Sequence, residues 1–384
     1  MKKILSKVLS YILVALVAAG TTAICFLVNQ YSNTSKLQEV EYLLTKYYIG
    51  EVDQGELEDA AADAMVQALG DRWSYYMTKE EYQSYLEVVT NSYVGVGITI
   101  QFREDGLGYD IREVVEGGPA HQTGISAGDI LVAVEGREVA QMTAEELSAL
   151  IRGEEGTQVK VTVLRDGRSM DFSLTRKKFQ TPVATGKMLE DNIGLITIEN
   201  FDERCAQETI AAIEALTEQG AKALIFDVRN NPGGYKDEMN KVLDYLLPEG
   251  PLFRSVDFRG KERVDYSDAA HLDIPMAVVV NLNSYSAAEF FAAALDEYDA
   301  AVVVGEKTYG KGYFQNTFQL SDGSAVNISV GKYTTPKGNS LVGVGLIPEM
   351  EVVVDQDMAA EIAAGLLPPE EDPQIIAAIN ALKS

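Results

Sequence analysis

Three short apolar runs place the strongest limit on the fold of this chain. Residues 223–228 (ALIFDV), 276–280 (MAVVV) and 301–304 (AVVV) have almost no polar side chain to turn towards water. Runs of this length, rich in β-branched residues, fit strands that are covered on both faces. Helical patterns lie among them at 205–220, 236–247 and 287–298, and another strand, 193–198, precedes them. The alternation predicts βαβ units, an α/β layer with a largely parallel sheet. Such sheets handle ligands in loops beyond the carboxyl ends of their strands. Three loops fall there: 229–234 (RNNPGG), 283–286 (NSYS) and 305–312 (GEKTYGKG).

The region before this layer has a different period. Strand patterns occur at 94–100, 108–115, 129–134 and 159–164, with a turn and short helix at 117–124 and a helix at 144–152. That is a compact α+β or partly closed β module. No ionisable cluster in it looks catalytic, so a binding role is expected. Residues 29–35 read as a polar linker and 37–89 as mostly helical, with a helix at 57–69 ended by Gly70 and a capping box from Thr78 to Glu81. The stretch from Arg176 to Gly186 reads as a second linker.

Charge narrows the choice of partners. The net charge is −26, and residues 1–28 carry three lysines and no acid, so the remainder carries −26 − 3 = −29. Such a surface repels phosphate backbones, which excludes a nucleic-acid partner. Residues 8–28 are 21 consecutive uncharged positions preceded by lysines. That length suits a membrane-crossing helix, and the basic flank places the N-terminus in the cytoplasm. A cleaved signal peptide is the competing reading, but no clear cleavage site follows the apolar stretch. Two cysteines, Cys25 and Cys205, and two histidines, His121 and His271, point to no disulfide and no metal site. No cofactor is expected.

The chemistry must come from the three loops. Ser286-Ala287-Ala288-Glu289 has the form of a capping box, with Ser286 as helix cap. Ser286 is also a candidate nucleophile, but an unassisted hydroxyl needs a neighbouring proton acceptor. His121 lies in the binding module, and His271 precedes its strand at the wrong end. Lys311 is on the correct side, flanked by Gly310 and Gly312, which allow its backbone to approach another loop closely. A lysine acts as a base only when neutral, and moving an ammonium from about 10.4 to about 7.5 by burial costs about 4 kcal/mol. Gln315 could orient such an amine without adding charge, whereas Lys307 is expected to pair with the adjacent Glu306. Gly305 to Lys311 also fits the opening of a phosphate-binding loop, but Gly312 stands where Ser or Thr is needed and a strand follows instead of a helix. An oxyanion requires N–H donors, and Gly233, Gly234 and Ala287 are the candidates.

Together these segments resemble the C-terminal processing peptidases, the tail-specific serine proteases of family S41, from about Glu39 to about Val354. The likeness rests on 226–234 (FDVRNNPGG), 284–289 (SYSAAE), 305–312 with Gln315, 333–338 (YTTPKG) and 343–348 (GVGLIP). It implies Ser286 as nucleophile, Lys311 as base and Gln315 as its positioner. Tyr285 replaces a small residue and Cys205 a common threonine. Residues 91–178 resemble a PDZ domain through Gly95-Val96-Gly97-Ile98 as a carboxylate loop, 118–120 with Gly124 and 128–129, and 151–157. That implies a groove where a peptide C-terminus adds as a strand.

The expected organisation is an N-terminal anchor (1–28), a linker and helical region (29–90), a PDZ domain (91–178) and an α/β protease core with its C-terminal segment (179–384). The expected function is that of a single-pass membrane-anchored, extracytoplasmic serine endopeptidase. It would take proteins with exposed C-terminal tails and cut them with a Ser286–Lys311 dyad. The alternative is a non-catalytic PDZ scaffold. Arg152 is a candidate regulatory residue at the end of the PDZ helix, and the 37–89 region a candidate homodimer contact.

Overall fold

The computed structural model describes residues 20, 21, 35–103 and 105–383. All but two residues of the expected membrane-crossing stretch lie outside the described residues. Among the described residues no helix is long and apolar enough to cross a membrane. The chain divides into two units between Tyr76 and Met77.

The first unit holds the helices Lys36–Tyr47 and Gln54–Gln67. Ser35 and Gln38 close a capping box on the first, and Asp53 caps the second through the Gly55 and Glu56 N–H groups.

The second unit opens with the helix Lys79–Val89, capped by the expected Thr78–Glu81 box. The binding module follows as a sheet of Ile98–Phe102, Tyr109–Val114, Ile130–Val134, Gln158–Arg165 and Arg168–Thr175, with the helices Pro119–Thr123 and Ala144–Ile151. Its core is a separate cluster that includes Val96, Tyr109, Ile111, Leu131, Leu147 and Val161. The strand expected at 94–100 is interrupted at Val96 and Gly97, where Gly97 has φ 76°. The break leaves Val96 and Gly97 outside both strands, and residues 95–98 line a cleft.

Residues 177–186 are not a linker. Lys177–Gln180 pairs with Ser92–Gly95, and Ala184–Met188 pairs antiparallel with Ile193–Ile198. Neither strand shows an apolar alternation, so partner strands and not local pattern decide their conformation. The two-stranded ribbon is the neck of the binding module, and the core holds it on both sides. Asn91 Nδ2 donates to Asn200 Oδ1 at 2.6 Å and Asp202 Oδ2 at 2.9 Å, and Arg204 Nη2 donates to Thr181 O at 3.0 Å.

The α/β layer has the expected character. Ile193–Ile198, Ala223–Asp227, Met276–Val280, Ala301–Gly305 and Met350–Glu351 run parallel in that order, with Ala184–Met188 antiparallel at one edge. Both faces are covered, which is why the strands read as unbroken apolar runs. Ile196, Phe226, Val278 and Val303 face the helices Cys205–Glu218, Lys236–Leu246 and Ala287–Glu297. Leu195, Ile225, Val279 and Val304 pack against Ile375 and Ala378 of the helix Pro373–Lys383. A second antiparallel sheet joins Tyr313–Gln319, Ala325–Thr334, Gly250–Asp257 and Glu262–Ser267.

Candidate active site

The loops after the strands Ala223–Asp227, Met276–Val280 and Ala301–Gly305 lie together at the carboxyl edge of the sheet, tied by hydrogen bonds from one to the next. Asn230 N donates to Asn281 Oδ1 at 3.0 Å, Tyr285 N to Asn231 O at 3.3 Å, and Tyr309 N to Ser284 O at 3.3 Å. Ser284 is fully buried and donates its hydroxyl to Val228 O at 2.7 Å while accepting the Asn281 N–H at 3.0 Å. Of the two serines, Ser284 is therefore a strut between loops.

Ser286 is different. It precedes the helix Ala287–Glu297 with φ 60° and ψ −121°, and its side chain makes no capping hydrogen bond. The capping box expected from the sequence does not form. Its other half, the Glu289 carboxylate, is fully buried and faces the third loop instead. It accepts from the Thr308 hydroxyl, from Gly310 N at 2.6 Å and from Lys311 N at 3.0 Å. Burial pushes the Glu289 carboxyl up from its ordinary range, and these hydrogen bonds draw it back. The positive φ at a non-glycine residue stores strain of about 1–3 kcal/mol. It turns the Ser286 side chain out of the helix cap.

The glycine at 233 makes this turn possible. A Cβ there would stand 2.7 Å from Ser286 Cβ and 2.8 Å from Ala287 N. Gly234, the neighbouring residue, lies against the backbone of Phe201, whose N–H donates to Gly233 O at 2.8 Å and whose carbonyl accepts from Tyr235 N at 2.6 Å. The three expected oxyanion donors are thus brought to one place, with unequal availability. Gly233 N donates to Asn231 Oδ1 at 2.8 Å. Gly234 N and Ala287 N have no acceptor among the described residues.

Lys311 is partly buried, and its Nζ lies 5.9 Å from the centroid of the Tyr285 ring, a contact that favours a charged amine. Its loop packs closely on residues 341–346, as the flanking glycines require: Gly343 N donates to Gly310 O at 2.9 Å and Thr308 N to Leu346 O at 3.0 Å. Gln315 Nε2 donates to Ser329 Oγ at 3.2 Å and Tyr313 O at 3.3 Å. Lys307 is exposed and forms no ion pair with Glu306 among the described residues. Glu306 accepts from Val354 N at 3.1 Å instead. His121 and His271 are both exposed, away from these loops in sequence and fold. Cys205 is buried in the main core, where its thiol is pushed up to about 12 by burial, which leaves it an inert packing group.

In the binding module, Gly95, Val96, Gly97 and Ile98 line a cleft of about 150 Å³ together with Ser148, Ile151 and Arg152. Arg152 Nη1 also reaches Glu87 Oε2 at 2.8 Å on the helix Lys79–Val89.

Glu289 and Tyr333 are neighbours of the candidate site that pattern reading missed. Both stand inside recognised motifs, but the partners that define them are distant in sequence. Tyr333 is 4% exposed, and its hydroxyl accepts the Gly312 N–H at 3.2 Å.

Residues 192–352 match the model of peptidase family S41, residues 111–165 that of a PDZ domain, and residues 21–81 that of the activating protease CtpB N-terminal domain. The carboxy-terminal processing protease CtpA of Bacillus subtilis (strain 168) is 32% identical over 323 residues, which cover 83% of this chain and 69% of that protein. A probable CtpA-like serine protease of Staphylococcus aureus (strain COL) is 32% identical over 326 residues, covering 84% of this chain and 65% of that relative. The chain thus spans a little under two thirds of the staphylococcal relative's length. Among solved structures, a photosystem II D1 C-terminal processing protease aligns at 26% identity and a TM-score of 0.48, covering 83% of this chain and 87% of that one.

Proposed function

This chain belongs to peptidase family S41, among its CtpA-like carboxy-terminal processing proteases with a PDZ domain, and from that premise we propose that it is a serine endopeptidase that captures protein C-terminal tails and cuts them with Ser286 and Lys311. One observation carries the reading. Ser286 is held at φ 60° outside any helix cap, while Glu289, three residues on, binds the backbone on which Lys311 sits. A helix N-terminus used only as a cap would have no need of either feature.

In the proposed reaction, the neutral Lys311 amine takes the proton of the Ser286 hydroxyl as Oγ attacks the peptide carbonyl. The oxyanion meets the N–H groups of Ala287 and Gly234. Gly233 joins them when its bond to Asn231 opens. The C–N bond then breaks, the ammonium of Lys311 returns its proton to the leaving amine, and water hydrolyses the acyl-serine by the same route. Gln315 is the proposed positioner of the amine, itself held by its cross-strand partner Ser329. Substrate entry that draws Lys311 from the Tyr285 face and excludes water would favour the neutral amine.

The groove at residues 95–98 is the proposed tail site, where backbone N–H groups hold the terminal carboxylate and the peptide adds beside Ile98–Phe102. The uncharged stretch 8–28 supports a single-pass anchor with the catalytic part outside the cytoplasm.

The test is mass spectrometry of products from an unfolded protein whose C-terminus is free or amidated. The proposal expects cleavage with the free terminus, slower cleavage with the amide, and none by Ser286→Ala or Lys311→Ala. Tail binding without cleavage in the wild type would instead describe a scaffold.

A further inference from the structure

Tyr333 touches both halves of the proposed site. It lies near the end of the strand Ala325–Thr334, and its backbone N–H donates to Gly312 O while its hydroxyl accepts from Gly312 N, each at 3.2 Å. One residue thus holds both polar groups of Gly312, the position directly after Lys311. The aromatic ring packs edge-on against Phe290, with centroids 5.7 Å apart, and Phe290 belongs to the helix that Ser286 begins. Phe253 covers it at 5.4 Å. The phenol is fixed as a rigid body between the base loop and the nucleophile's helix.

Its polar surroundings agree. Burial and the Glu289 charge push the Tyr333 phenol well above its ordinary value, and the Gly312 N–H and Ser286 hydroxyl draw it partly back. The phenol stays protonated. The phenol oxygen receives the Gly312 N–H, and the Ser286 hydroxyl is its other hydrogen-bond neighbour. Ser286 has no capping bond of its own, so its rotamer must be set from outside its helix.

We propose that Tyr333 is a positioning residue for peptide hydrolysis: its hydroxyl, anchored on the Gly312 N–H, sets the separation between Ser286 Oγ and the loop that carries Lys311. This rests on the Ser286–Lys311 reading and extends it to a third side chain that holds the pair in register.

The test uses the full chain and the variants Tyr333→Phe and Ser286→Ala. Phenylalanine keeps the ring packing and removes the hydroxyl alone. A small alkyl fluorophosphonate labels a reactive serine without use of the tail groove. Its final stoichiometry counts folded sites, and its rate constant reads serine reactivity. The expected result for Tyr333→Phe is a rate constant lowered about ten- to a hundredfold at wild-type stoichiometry, with kcat on a tailed substrate lowered by a similar factor and KM unchanged. A purely structural role predicts lower stoichiometry at an unchanged rate constant, and that result overturns the proposal. Labelling that persists in Ser286→Ala overturns the nucleophile, and the role of Tyr333 with it. Labelling lost in Ser286→Ala but unchanged in Tyr333→Phe overturns Tyr333 alone.

Discussion

Two turn glycines of the PDZ domain and two loop glycines of the α/β core serve opposite purposes. Gly124 and Gly128 of the PDZ domain sit at φ 92° and 93° in turns, and a Cβ on either would meet nothing within 4 Å. In the core, a Cβ on Gly234 would drive into the Phe201 carbonyl, and one on Gly345 into the Thr308 carbonyl. Gly124 and Gly128 turn the chain in open space, unlike Gly108 of the same domain, where a Cβ would meet the Leu131 carbonyl. Gly234 and Gly345 let separate segments press together until their backbones touch. The proposed tail site is an open cleft at one strand end, while the proposed catalytic site is a set of loops hydrogen-bonded to one another.

The largest expected effect follows from that contrast. Gly234→Ala should cost more than about 3 kcal/mol, because a Cβ in backbone contact leaves no flexible neighbour to give way. Gly124→Ala should cost about 1 kcal/mol, the penalty of a left-handed conformation alone. Urea unfolding of both variants checks the pair, and similar losses would erase the distinction between open turns and closely pressed loops.

Glu289 gives the next effect and a dependence on pH. Glutamine there keeps one acceptor for Thr308 and Gly310 but turns an N–H₂ group towards the Lys311 N–H, at a cost of about 1–3 kcal/mol. The sign with pH is fixed by the raised carboxyl of the folded state. The folded protein binds this proton more tightly than the unfolded chain, so the stabilising contribution is complete below the unfolded value near 4.5 and is lost as pH rises through the folded value. Glu289→Gln lacks that titration. The stability gap between wild type and variant should be widest in acid and narrow towards neutral pH. A gap that widens with pH in urea melts would show that the ionised carboxylate is the favoured form.

Two serines show what could be read from sequence and what could not. The βαβ layer was legible because strands buried on both faces must be apolar throughout, as Ala223–Asp227 and Met276–Val280 are. The meeting of the three loops followed from parallel topology. The state of Ser286 did not follow, since Ser-x-x-Glu is a sound capping pattern and the groups that hold Glu289 away from it, the Thr308 hydroxyl and the Gly310 and Lys311 N–H groups, lie 19–22 residues from Glu289. The strands Lys177–Gln180 and Ala184–Met188 escaped for a similar reason, since their conformation is imposed by Ser92–Gly95 and Ile193–Ile198. Substitution separates the two serines. Ser284→Ala should lose about 1 kcal/mol by stranding the Asn281 N–H and leaving Val228 O with only the Asn231 N–H at 3.4 Å. Ser286→Gly should abolish cleavage yet gain about 1 kcal/mol by relieving the strained backbone. Thermal melts with opposite signs would separate strut from proposed nucleophile, and a loss in both would place Ser286 with the structural residues.

The smallest effect is expected where the PDZ groove meets the rest of its unit. Arg152 lines the cleft, lies 5.8 Å from the Tyr93 ring and pairs with Glu87, with side chains 51% and 30% exposed. An ion pair this open is screened, and Arg152→Ala should change stability by no more than about 0.5 kcal/mol. A coupling role would appear elsewhere. Arg152 lines the groove and pairs with Glu87 at once, and a carboxylate bound in the groove would compete with Glu87 for the same guanidinium. Tail peptide added in trans should therefore stimulate cleavage of a tailless substrate in the wild type and not in Arg152→Ala, while Glu87→Ala should respond at lower peptide concentration. Equal stimulation in all three proteins would reduce Arg152 to a solvated cation at a helix end, whose charge the helix dipole alone favours.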